Sequence, residues 1–141
     1  MRDLYNNLRV VQLIEPSADT GEAAITSTIV DLQGFDGVLL VVTFGELADA
    51  AFTGAITVTE SDTAYFSSPN SVAAADLVAG TNPVTFNQAS DNYTYKIGYI
   101  GNKQFIRIEV ATTANAGVFP VAAVAILGYP SILPQSTQVE A

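Results

Sequence analysis

Apolar residues in this chain fall mostly at alternate positions, in short runs bounded by Gly, Pro, Asn and Asp. That period of two marks half-buried β-strands. Residues 24–30 combine Ile and Thr, whose branched β-carbons suit a pleated backbone. Residues 37–44, G-V-L-L-V-V-T-F, are apolar on both faces and predict a central strand covered on both sides. In residues 55–60, Ile56 and Val58 point one way while Thr57 and Thr59 point the other. Residues 84–86 predict a brief strand. Residues 121–127 predict a last one, punctuated by Pro120 and Gly128. Residues 61–92 read as mostly loop, with one helical turn at 72–77.

The stretch 94–110, T-Y-K-I-G-Y-I-G-N-K-Q-F-I-R-I-E-V, reads as a hairpin about Gly101-Asn102, a pair suited to the positive φ angles of a two-residue turn. That register sets Lys96 opposite Arg107. It puts Tyr95, Ile97, Tyr99, Gln104, Ile106 and Ile108 on the core side, and lets Phe105 lie across Gly98. Two cations directly opposite each other are mildly unfavourable, so the reading expects an acidic neighbour. Glu109 is the local candidate, and a carboxylate of another subunit is the alternative.

Residues 1–22 read as an N-terminal arm and 130–141 as a C-terminal tail, because Pro130 and Pro134 are poor members of a central sheet. Between them, residues 23–129 form a single β domain. Seven or so short strands without a convincing long helix predict an all-β fold, an antiparallel β-sandwich (jelly-roll-like) or a small β-barrel of about seven or eight strands.

Composition narrows the function. Charged residues make up only 13% of the chain, so its surface is either rich in uncharged polar groups or covered by other chains. A net charge of −9 argues against nucleic-acid phosphate backbones and anionic membranes as partners. With no cysteine or histidine, metal and cofactor sites built on those ligands are excluded. The start M-R-D-L-Y-N-N-L-R lacks the apolar core of a signal peptide, so synthesis in the cytoplasm is expected.

Candidate chemistry is sparse. Asp19-Thr20-Gly21 matches the aspartic-protease triplet, but it follows Glu15-Pro16-Ser17-Ala18 rather than an apolar strand and reads as a turn. Asp31 and Asp36 could approach a cation, although their spacing does not match the twelve-residue calcium loop. Asn92-Tyr93-Thr94 matches the glycosylation pattern, which matters only in a secretory setting. Serine has no histidine to act as base. An enzyme is not expected, and no cofactor is.

Three segments, V-D-L-Q-G-F-D-G-V-L-L-V-V (30–42), Y-K-I-G-Y-I-G-N-K-Q-F-I-R-I (95–108) and V-A-A-V-A-I-L-G-Y-P (121–130), resemble small virion proteins of tailed bacteriophages and prophages. Such proteins are commonly encoded near the major capsid protein. The resemblance runs over residues 25–134 in the same order along the chain, and it carries no catalytic residues. It implies a head decoration (cement) protein on the capsid surface, with the major capsid protein as partner and a homo-oligomer, a trimer, as the assembled form. A head-fibre base, neck or tail protein of the same virion is an alternative, and a free-standing glycan- or surface-binding sandwich is another. Expected contacts with a neighbour or the capsid are Leu4, Tyr5, Leu8 and Val10 in the arm and Tyr129, Pro130, Ile132 and Leu133 in the tail. The basic spot of Lys96, Lys103 and Arg107 joins them.

Overall fold

The structure is a computed structural model that describes residues 3–78 and 81–132. Leu133 lies outside the described residues. Eleven strands follow one another: β1 (Leu8–Asp19), β2 (Ile25–Thr26), β3 (Val30–Asp31), β4 (Phe35–Phe44), β5 (Thr53–Ser61), β6 (Asn70–Ser71), β7 (Leu77–Val78), β8 (Val84–Asn87), β9 (Thr94–Tyr99), β10 (Phe105–Thr113) and β11 (Phe119–Pro130). They form two antiparallel sheets. Sheet A has the order β1-β11-β4-β9-β7. Sheet B has the order β2-β10-β5-β6, with β3 also on β10 and β8 also on β5. The fold is the expected β-sandwich.

The alternation read from the sequence is what fills the core. Val38, Leu40, Val42 and Phe44 of β4 point inward with Val121, Ala123, Ala125 and Leu127 of β11. Ile56 and Val58 of β5 and Ile106, Ile108 and Val110 of β10 meet them from sheet B. Each Val, Leu, Ile or Phe among them contributes roughly 1.5–3 kcal/mol when fully buried. One end of the core is aromatic. Phe86 stacks on Phe44 with ring centroids 4.4 Å apart, and Phe119 lies 5.8 Å from Phe86 and 5.5 Å from Phe44. Gly54 makes room for this cluster, since a β-carbon there would come within 2.2 Å of Phe86 Cζ.

Residues 94–110 do not form a hairpin. β9 belongs to sheet A, between β4 and β7, whereas β10 belongs to sheet B, beside β5. Residues 100–104 carry the chain across the end of the sandwich. Ile100 N–H donates to the Asp76 carbonyl, Lys103 N–H to Tyr99 Oη, and Leu32 N–H to the Gln104 carbonyl. Ile97, Tyr99, Ile106 and Ile108 are buried, as alternation required, but they face one another across the core instead of sharing one face of a strand pair. Gln104 is exposed, and Val78, not Phe105, lies over Gly98, where a β-carbon would be 3.1 Å from Val78 Cβ. Lys96 is therefore not opposite Arg107. Periodicity decides which residues point inward and leaves the partner strand open.

The N-terminal region also differs from its expectation as an arm. β1 is a full edge strand, paired with β11 from Leu8↔Gly128 to Asp19↔Phe119, with irregularities between Gln12 and Ile14 and between Ile14 and Ser17. Pro16 falls in the second irregularity, where the missing N–H costs the ladder nothing. At the other terminus Pro130 still belongs to β11, opposite Phe35, at the strand's last position.

Candidate functional site: the outer face of sheet A

Residues that alternate with the core set build the opposite face of sheet A. Val10, Ile126, Leu39, Gly98 and Val78 lie side by side across all five strands. The next row is Gln12, Val124, Val41 and Lys96, and on the other side runs Leu8, Gly128 and Gly37. A polar margin of Thr43 and Thr94, whose hydroxyls are 3.1 Å apart, closes one end.

Three glycines would leave gaps in this surface, and each is overlain by a neighbour. The Leu8 side chain lies over Gly128, where a β-carbon would be 3.3 Å from Leu8 Cδ2. The Tyr129 ring lies over Gly37, with Cδ2 3.0 Å from the same notional atom, and Val78 covers Gly98. The result is a low, continuous apolar sheet surface. Val10 is 47% exposed, Val78 58% and Tyr129 80%. The two-sided hydrophobicity of residues 37–44 thus has a different basis from the expected one. β4 is central, but among the described residues only its inner face is covered by a second layer.

Charge is distributed with the same bias. The chain carries −9, yet the rows through Leu8, Val10 and Gln12 hold no acidic residue; Glu15, exposed in β1 next to buried Ile14, lies beyond them at the edge of the face. The charge in these rows is Lys96. It is exposed, and its side chain has no hydrogen bond or ion pair among the described residues.

The expected contact residues divide accordingly. Leu8, Val10, Lys96 and Tyr129 come together on this face. Leu4 and Tyr5 are exposed at its end, in and beside the 3-10 turn Tyr5–Asn7 that precedes β1. Pro130 and Ile132 lie at the same end, where Ser131 N–H donates to the Gly34 carbonyl at 2.9 Å. The other two cations belong elsewhere. Lys103 Nζ pairs with Asp62 Oδ2 at 2.6 Å, and that bond raises its pKa. The Arg107 guanidinium lies 4.6 Å from the Phe66 ring centroid, on the outer side of sheet B. Sequence reasoning missed Leu39, Val41, Val78, Val124 and Ile126. The signal is the apolar second face of residues 37–44, which periodicity alone reads as burial within the chain.

The remaining candidates take ordinary roles. Asp19 Oδ1 accepts from Gly21 N–H at 3.0 Å, forming a turn at the end of β1. Asp31 Oδ1 accepts from Gln33 N–H and from Gln104 Nε2. Tyr93 and Tyr129 sit at opposite ends of sheet A, so they do not form one stacking platform. An open cleft of about 480 Å³ between residues 32–38 and 99–104 adjoins the Gly37 end of the apolar face.

No protein-family model matches the chain, and no curated protein does. Among solved structures, the PBSX exported protein XepA is similar over 94% of this chain at 12% identity, with a TM-score of 0.59. This chain spans 42% of that protein. The CBM22-1–GH10 modules of Clostridium thermocellum xylanase 10B, complexed with xylohexaose, cover 97% of this chain and 28% of theirs at 12% identity, with a TM-score of 0.46. The infectious bursal disease virus VP2 subviral particle covers 88% of this chain and 33% of its own at 8% identity, with a TM-score of 0.44. The likeness to XepA is one of fold, and the other two are too distant to argue from.

Proposed function

We propose that this chain is a structural protein of a bacteriophage virion, a decoration protein that binds the outside of the capsid and bridges capsomers. The outer face of sheet A is the surface it docks with. One observation carries this reading: a strongly acidic chain keeps the central rows of one five-strand sheet face largely apolar and free of carboxylates. The contiguous exposed apolar patches of soluble proteins are often their interaction sites, and a chain of this charge has ample acidic residues with which to have broken this one up.

The sequence resemblance supports the same reading. Its three segments supply β4, β9 and β11, the three inner strands of sheet A, together with β3 and the start of β10. The partner is the major capsid protein. The residues at the end of the face, Leu4, Tyr5, Tyr129, Pro130 and Ile132, reach neighbouring subunits, with a trimer as the assembled form and the virion surface as its place. The chain performs no catalysis in this account.

Purified heads test the proposal. Decoration requires the chain to co-purify with assembled capsids at on the order of hundreds of copies per particle, as coverage of a symmetric shell demands. About a dozen copies or fewer would place it at a neck, tail or fibre base, and absence from heads would remove it from the capsid.

A further inference from the structure

We infer that the cleft where β9 leaves sheet A receives an extended, basic peptide segment of another protein, which adds a short strand beside Asp36 of β4. The inference stands apart from the docking of sheet A's outer face, and the two can fail separately.

Strand pairing leaves the slot. Main-chain groups alternate in direction along β4: Phe44 N–H donates to the Tyr93 carbonyl on the β9 side, and Gly45 N–H to the Pro120 carbonyl on the β11 side. Counting back by twos from Phe44 turns the main-chain groups of Val38 and Asp36 towards β9. Val38 meets Tyr99 there, and the ladder stops at that pair. β4 itself continues to Phe35 against β11. The register would set Gly101 opposite Asp36, but the chain turns away, with Ile100 N–H on the Asp76 carbonyl and Lys103 N–H on Tyr99 Oη. Asp36 N–H and C=O therefore have no hydrogen-bond partner among the described residues. The open cleft of about 480 Å³ lies along this flank.

Hydrogen bonds hold both walls of the slot in place. On one wall Gln33 N–H donates to Asp31 Oδ1 and Ser131 N–H to the Gly34 carbonyl. On the other, the Lys103 ammonium is tied to Asp62 and Gln104 Nε2 to Asp31. A pre-formed strand edge with an unpaired donor and acceptor suits a polypeptide main chain, which offers both in return. Leu32, Phe35 and Val38 supply an apolar lining for its alternate side chains.

Charge selects a basic segment. The carboxylate of Asp36 belongs to a lining residue, and those of Asp31, Glu60 and Asp62 are bonded to the lining residues Gln104, Tyr99 and Lys103. The ammonium group of the lining, on Lys103, is already engaged with Asp62. An acidic segment is repelled here and a Lys or Arg is attracted. This chain is a poor source of such a segment. Arg9, Lys96 and Arg107 are built into β1, β9 and β10, and residues 133–141 contain no Lys or Arg. Arg2 remains, and a second copy that used it would show itself as self-association.

Amide NMR of the whole chain, titrated with the peptides Val-Lys-Val-Lys-Val and Val-Glu-Val-Glu-Val, tests this. The basic peptide should shift the Asp36 and Asn102 amides and slow hydrogen exchange at Asp36, and the acidic one should do neither. Asp36→Pro removes the N–H of the open flank without breaking a bond to β11, so this variant should fold and bind on the order of tenfold more weakly. Asp36→Asn keeps the main-chain groups and loses the charge, and it too should weaken binding of the basic peptide about tenfold. If Asp36→Pro fails to fold, Asp36→Asn decides alone. An unmoved Asp36 amide at millimolar basic peptide overturns the inference, as does equal binding of the two peptides or unchanged affinity in the folded variants. Protection of Asp36 that rises with the chain's own concentration, with no peptide present, marks a second copy as the occupant and also overturns it. So do shifts of the same amides by xylohexaose where the basic peptide gives none. Copy number per head decides the capsid reading separately from all of these.

Discussion

Lys96 and Arg107 stand on opposite faces of the sandwich, one on the outer side of sheet A and the other on the outer side of sheet B. Their effects are therefore separable. Arg107→Ala removes the contact with Phe66 and should cost about 1 kcal/mol of stability while leaving particle occupancy at the parental level. Lys96→Ala should leave the melting curve in place and reduce occupancy. Thermal melts and head-binding assays on the two single variants and the double variant check this, with additive effects expected.

Gly54 faces the Phe86 ring so closely that any β-carbon would overlap it, and that ring is held by Phe44, Phe52 and Phe119. Gly54→Ala should destabilise the fold by about 1–3 kcal/mol, as overpacking of a filled core does. Urea unfolding measures it directly.

Tyr99 ties the two sheets together, donating from its hydroxyl to Glu60 Oε2 at 2.6 Å and accepting from Lys103 N–H at 3.0 Å. Burial, aided by the bond to Glu60, raises its pKa well above the ordinary 10.0. The folded chain then keeps a proton that the unfolded chain releases. The stability Tyr99 contributes is complete below pH 10 and falls as pH rises beyond it. Tyr99→Phe should cost about 1–2 kcal/mol at neutral pH and flatten part of the alkaline decline. Melting temperatures recorded from neutral to strongly alkaline pH read both effects.

The Asn82 side chain acts as a substitute strand at the edge of β5. Its oxygen accepts from Val58 N–H at 3.0 Å, and its nitrogen donates to the carbonyls of Val58 and Val72 at 2.9 and 2.8 Å. Asn82→Ala removes the partner of Val58 N–H and the side-chain bond to the Val72 carbonyl, while the Val58 carbonyl keeps Val72 N–H, and should cost about 1–3 kcal/mol. Faster amide exchange at Val58 would localise the loss.

Much of the fold is legible in the alternation of residues 37–44, 55–60, 94–110 and 121–127, because a strand with one buried face must repeat every two residues. The pairing of β9 is not legible. Gly101-Asn102 has turn chemistry, but residues 100–104 use it to cross between sheets, and inward-pointing Ile97 and Ile106 satisfy either arrangement. β1 was hidden because Pro16 and the polar residues after Ile14 look like an arm, although the irregular pairing with β11 accommodates them. The docking face was half visible. The two-sided hydrophobicity of Leu39 and Val41 was plain, but no periodicity states whether a second face is covered by the same chain or by another. The short cover strand β7, which brings Val78 over Gly98, has almost no sequence signal.

The most direct test of the docking face is the number of copies of Val124→Asp on purified heads, compared with the parent chain. Val124 lies mid-face between Gln12 and Val41, pointing away from the core, so the variant should stay folded and melt within about 1 kcal/mol of the parent. The account predicts that the parent loads on heads at high copy number and that the variant, with a carboxylate at the centre of the contact, is lost from them. A folded Val124→Asp chain present at the parental copy number would contradict it.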